Sequence, residues 1–97
     1  MITRIVKLSF EEKNVAEFLK IFENSKHKIR AMSGCNGLEL LNDIHSPSVF
    51  FTYSKWNTEQ DLNNYRDSEL FKTVWADTKI LFNDKPQAWS VNSVEAL

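Results

Sequence analysis

The chain is 97 residues long, the size of one ordinary domain whose core is small enough for a partner subunit to add stability, and a single domain over residues 1–97 is expected. Twelve Lys and Arg residues against thirteen Asp and Glu leave a net charge of −1; with no basic run, this excludes the electrostatic footprint of a nucleic-acid or anionic-membrane binder. The lone cysteine, Cys35, cannot form an internal disulfide, and no apolar run has the length of a signal-peptide core or a membrane span, so a soluble, cytoplasmic protein is expected.

From Ile2 to Phe10 the apolar residues alternate. Ile2, Val6, Leu8 and Phe10 share a face with Arg4, and Thr3, Ile5, Lys7 and Ser9 share the other, which predicts a first strand. A helix over about 12–32 follows, opened by Ser9 or Glu11-Glu12 and carrying a stripe of Val15, Phe18, Leu19, Phe22 and Ile29 at helical spacing. Lys26 falls on the same arc. It either lays its stem on apolar surface and sends its ammonium to the edge, or holds that ammonium at a pocket mouth for an anionic group. His27, four residues after Glu23, reads as a solvated side chain in an i,i+4 pair.

The only two glycines lie in Ser33-Gly34-Cys35-Asn36-Gly37, and Gly34 is the expected helix stop. Leu38–Leu41 then reads as a second strand, and the turn Asp43–Ser48, with an exposed His45, leads into a third as an antiparallel hairpin. That third strand puts Phe50, Thr52, Ser54 and Trp56 on one face and Val49, Phe51, Tyr53 and Lys55 on the other. With aromatic residues on both faces, both need cover. Helices cover one, and a sheet from a second subunit is expected on the other, making a homodimer.

Asn57 or Thr58 caps the next helix, but Leu62 and Tyr65 point away from the face shared by Leu70, Phe71, Val74, Trp75, Leu81 and Phe82. The helix must break, and Asp67-Ser68 supplies a new cap, giving helices over 58–66 and 68–82. A fourth strand over 87–94, with Trp89 and Val91 on one face, completes the order strand, helix, strand, strand, helix, strand. This is the split β-α-β pattern of an α+β, ferredoxin-like fold with a four-stranded antiparallel sheet and its helices on one side.

Several motifs together resemble the antibiotic biosynthesis monooxygenase domain family: the turn Gly34-Cys35-Asn36-Gly37, the ending Tyr53-x-x-Trp56, and the run Trp56-Asn57-Thr58-Glu59-Gln60-x-Leu62 leading to Ser68-x-x-Phe71. The resemblance covers essentially the whole chain. It implies a dimeric α/β barrel in which each subunit keeps a cavity between sheet and helices. It also implies one of several activities: cofactor-independent oxidation of phenols or quinones, haem degradation, small-molecule isomerisation, or none established.

The resemblance assigns positions as well. Where the monooxygenase branch carries an asparagine four residues before the strand-three tryptophan, this chain has Thr52, which lacks the amide's paired donor and acceptor. Trp56 itself is kept, and reads first as a large residue closing the cavity. Trp75 stands where the haem-degrading branch needs an axial histidine and Tyr65 where it has a tryptophan, so haem degradation is disfavoured.

Arg4 shares its face with Val6 and either reaches solvent from the strand end or offers a guanidinium to an anionic ligand. With Lys26 it would give the pocket a positive edge. The expected pocket is Arg4, Val6, Phe22, Lys26, Thr52, Trp56, Tyr65, Phe71 and Trp75, for a small aromatic or quinone-like ligand. No catalytic residue is assigned. Cys35 has no nearby histidine in sequence, and no metal-ligand spacing or phosphate loop is present, so no metal and no cofactor are expected. The alternative to an oxygenase is a non-catalytic dimeric ligand-binding or stress-related module.

Overall fold

The computed structural model describes residues 1–97. One antiparallel sheet contains β1 (Ile2–Ser9), β2 (Cys35–Asn42), β3 (Val49–Trp56) and β4 (Gln87–Val91), in the spatial order β2-β3-β1-β4. A short 3-10 turn leads into α1 (Val15–Arg30), while α2 (Glu59–Arg66) and α3 (Glu69–Lys79) join β3 to β4. This is the ferredoxin-like α+β fold that the element order predicts. No helix is long and apolar enough to cross a membrane.

The register fixes what the helices meet. Across β3, β1 and β4, Ser54 lies beside Arg4 and Arg4 beside Ser90, while Thr52 lies beside Val6 and Val6 beside Ala88. Further along, Leu8 pairs with Phe50. These residues share the helix-covered face, because side chains alternate along a strand. Its buried part divides into two clusters. Leu8, Phe10, Phe18 and Phe50 form one, and Cys35, Trp56 and Leu62 form the other.

The opposite face has no cover within the chain. Ile5 lies between Tyr53 and Trp89, and Phe51 lies beside Leu41, with Val91 in the next row. Leu41, Trp89 and Val91 are exposed, and β4 contributes no buried residue. Only 11 of 97 residues are buried, and much of the apolar surface of this sheet lies open to solvent.

Several boundaries differ from the sequence reading, each for a local reason. β2 begins at Cys35 rather than Leu38, because a bulge between Cys35 and Gly37 absorbs Asn36 and lets the glycine turn continue into the strand. The Asn36 amide donates to Gly34 O and to the Asn57 side chain, pinning the bulge to the end of β3. α1 stops at Arg30 with Ala31 as a right-handed cap, so Gly34 is not the helix stop; it turns the chain four residues later, at φ +83°. α3 ends at Lys79. Leu81 and Phe82 lie beyond it and still point inward, because Phe82 forms a β-bridge with Phe10 and the Asn83 N–H donates to Ser9 O. β4 ends at Val91, short of residue 94. Leu19 sits at the outer edge of the α1 stripe and is 42% exposed; Ser25 takes the central buried position instead.

The break between α2 and α3 falls where the change of apolar face requires it. Ser68 Oγ accepts the Phe71 N–H at 3.2 Å and donates to Tyr65 O at 2.5 Å, so one hydroxyl caps the start of α3 and satisfies a carbonyl at the end of α2. At the other end of α2, Thr58 Oγ1 accepts the Asp61 N–H and donates to the Asp61 carboxylate. This carboxyl packs directly on Gly34, where an added Cβ would overlap it. Gly34→Ala therefore carries a left-handed backbone cost of about 1–2 kcal/mol plus the displacement of Asp61. Urea unfolding should show a loss of at least that size, and a variant as stable as wild type would contradict the packing described.

Candidate functional site

Between the helices and the β1–β3–β4 half of the sheet lies a cavity of about 310 Å³. Its floor is sheet: Arg4, Val6 and Leu8 from β1, Thr52 and Ser54 from β3. One wall is α1, through Phe18, Phe22 and Ser25. The facing wall comes from the broken helix pair, with Tyr65 and Arg66 from the end of α2 and Phe71, Trp75 and Thr78 from α3. The break at Ser68 makes this wall possible, since it turns Tyr65 and Phe71 towards each other with ring centroids 5.2 Å apart.

Of the residues expected at a pocket, Arg4, Val6, Phe22, Thr52, Tyr65, Phe71 and Trp75 all line this cavity; Lys26 and Trp56 do not. The Lys26 ammonium is 2.6 Å from the Glu23 carboxylate on the outer side of α1. Hydrogen bonding and charge from Lys26 hold the Glu23 pKa below its ordinary value. Lys26, not His27, is thus the ion-pair partner of Glu23. Trp56 is 0% exposed and lies behind the cavity wall, packed with Cys35 and Leu62 and stacked on Tyr65 at 5.0 Å. Its indole N–H donates to Ser54 Oγ at 3.0 Å.

Among the polar lining residues, the sequence reading missed Arg66, Ser25, Ser54 and Thr78. Arg66 follows Leu62 by four residues, so the spacing that turns Leu62 inward already places Arg66 on a neighbouring line of the helix. Ser54 alternates with Thr52 on β3 and was legible as facing the helices, although its role as partner of Trp56 was not.

The hydroxyls of the cavity fall into two groups. Ser25 donates to Ile21 O at 2.8 Å and Thr78 to Val74 O at 2.7 Å, so both are occupied within their own helices. Ser54 accepts from Trp56 and keeps its own O–H to donate. Thr52 and Tyr65 make no side-chain hydrogen bond, yet no buried polar atom is left without a partner, so their oxygens reach open space. No Asp, Glu or His lines the cavity. It is a chamber of donors set in an apolar, aromatic wall, suited to a flat ligand with oxygen acceptors. No three His, Cys, Asp or Glu side chains come together in a group that could hold a metal ion.

Residues 1–76 match the model of the antibiotic biosynthesis monooxygenase family. The chain belongs to that family. Among solved structures it is similar to a crystal structure of an antibiotic biosynthesis monooxygenase, with a TM-score of 0.92 and 16% identity over 98% of this chain and 100% of the other. It is also similar to Rv0793 from Mycobacterium tuberculosis, with a TM-score of 0.89 and 12% identity over 98% and 96% of the two chains. A conserved protein from Methanosarcina mazei Go1 has a TM-score of 0.88 and 16% identity over 94% and 91%. At such identities these likenesses speak for the fold of this antibiotic biosynthesis monooxygenase family member. No curated protein matches it in sequence.

Burial, and then the nearby Cys35, push the Tyr65 phenol from 10.0 up to about 12. The group is therefore a neutral donor across the physiological range. The folded state keeps this proton above the pH at which an unfolded tyrosine releases it, so the stability it contributes is whole below pH 10.0 and is lost as pH rises through about 12. We expect the wild type to lose about 2 kcal/mol more than Tyr65→Phe over that interval in urea unfolding. Parallel pH profiles for the two proteins would contradict the burial of this hydroxyl.

Proposed function

We propose that this chain is a cofactor-independent, monooxygenase-like protein that oxidises a small phenolic or hydroquinone-like aromatic molecule in the cavity between sheet and helices. The observation that carries the reading is the cavity itself: about 310 Å³, walled by Tyr65, Phe71 and Trp75, with free hydrogen-bond donors and no carboxylate or imidazole in its lining. Family membership supports it further.

With no carboxylate or imidazole to remove a proton, the substrate enters as its own phenolate, whose oxygen accepts from Thr52 and Tyr65. This electron-rich ring is the reductant, and dioxygen is the oxidant. One oxygen atom bonds to a ring carbon that loses its C–H; the other leaves as water with that hydrogen and a proton from solvent, which replaces the one the phenol released on ionising. The net change is phenol plus dioxygen to quinone plus water. Thr52 and the neutral Tyr65 donate to the oxygens on which negative charge gathers.

Oxygen uptake with a naphthol or hydroquinone measures the activity. Thr52→Ala and Tyr65→Phe should each lower kcat/KM by about tenfold or more, as expected for the loss of one donor to a developing anion. Uptake unaffected by both changes would sink this assignment. The lack of an acid–base side chain favours one other reading, a non-catalytic dimeric binding module, and ligand binding without any oxygen uptake would select it.

The same proposal takes the protein to be a cytoplasmic homodimer whose uncovered sheet faces pack together as an α/β barrel. Ile5, Phe51, Tyr53 and Trp89 form an apolar patch that burial would stabilise. Sedimentation should give a dimer at micromolar concentration, and Trp89→Asp should shift it to monomer. A monomeric wild type would remove the barrel.

A further inference from the structure

Arg4 and Arg66 reach the same cavity from different elements, one from the sheet floor and one from the last turn of α2. Neither has an acidic partner. The ion pairs of the molecule are Lys20–Glu17 and Lys26–Glu23, both on the surface of α1, and the cavity lining contains no carboxylate. The one hydrogen bond Arg4 makes through its side chain is from Nη1 to Ser90 Oγ at 3.0 Å, an oxygen supplied by the neighbouring strand. This bond fixes the planar guanidinium and leaves most of its donors unused.

The two cations also act on each other. Burial first, and then the charge of Arg66, lower the Arg4 pKa from its ordinary value. Arg66 is exposed and Arg4 half-buried, so the two charges meet at the open edge of the cavity, where an anionic group would relieve the repulsion that solvent leaves. The helix dipole at the end of α2 favours Arg66 at that position but does nothing to reduce its repulsion of Arg4. Beside Arg4 on the sheet floor lies Ser54, which accepts from Trp56 and keeps its own O–H to donate.

We propose that Arg4 and Arg66 form a two-guanidinium anchor for the carboxylate of an aromatic acid, with the ring held among Phe22, Phe71 and Trp75. A guanidinium presents parallel N–H donors that match the two oxygens of a carboxylate. The apolar wall supplies contact area for the ring, and the cavity volume suits a molecule of one or two rings. The substrate class under the proposed oxidation is then a phenolic acid, with the carboxylate at the arginine edge and the phenolic oxygen towards Thr52 and Tyr65. The inference rests on the reading of this cavity as the ligand site, but not on oxygen chemistry.

The test compares calorimetric binding of a naphthoate with that of its uncharged naphthamide, neither of which is a phenol. The wild type should bind the naphthoate about tenfold or more tightly than the naphthamide, as a charge-assisted pair requires. Arg4→Gln and Arg66→Gln should each remove most of that preference while changing naphthamide binding little. Lys28→Gln, which deletes one positive charge from the exposed side of α1, should leave the preference intact. Equal binding of the two probes by wild type overturns the anchor while sparing the aromatic cavity, and so does an equal loss on Lys28→Gln. Failure of both probes to bind overturns the anchor and the cavity reading together. A preserved preference in a protein that consumes no oxygen leaves the anchor standing and sinks the oxygenase reading alone.

Discussion

A continuous chain of aromatic contacts ties together two buried clusters that are otherwise separate. It runs from Trp56 to Tyr65, Phe71, Trp75 and Phe82, then to Phe10, which stacks on Phe18 at 4.3 Å. Each such pair adds about 0.5–1.5 kcal/mol beyond its buried area. The chain spans the cavity wall, so the rings that join the two halves of the core are the rings a ligand would touch. Scaffold and site are not separable here, and truncating Phe71 or Trp75 would loosen the fold and enlarge the chamber together.

The same arrangement explains why so small a protein keeps an internal space at all. Filling it would require the helices to settle onto β1 and β4, but α2 packs on the Gly34 turn through Asp61, and the segment after α3 is tied to Phe10 by the Phe82 bridge. The Ser68 hydroxyl bonds to both helices and sets the angle between them. Local capping chemistry, worth about 1 kcal/mol at each such hydroxyl, thus decides the shape of a cavity that no single core residue defines.

Much of this was legible in the sequence, because alternation on β3 and the shift of apolar phase between Tyr65 and Leu70 each have one simple structural solution. The inward direction of Arg4, Thr52, Phe71 and Trp75 follows from these periods. Lys26 and Trp56 show where period runs out. Helical spacing puts Lys26 on the edge of a stripe, but only the Glu23 carboxylate three residues earlier says which way its ammonium turns. Strand alternation turns Trp56 towards the helices, and whether it lines the cavity or backs it depends on Tyr65 lying across its face. Arg66 was hidden for the opposite reason: at the end of an exposed, polar helix, its place at the cavity depends on the break that follows it.

The two hydroxyls bonded back into their helices have a further consequence. By giving their protons to Ile21 and Val74, Ser25 on the α1 wall and Thr78 on the facing α3 wall offer a ligand only acceptor lone pairs. A ligand oxygen buried against either hydroxyl would find no proton there, at a cost of about 1–3 kcal/mol for each unmet acceptor. The orientation of any ligand within the cavity would thus be set as much by these two spent hydroxyls as by the donors that remain free.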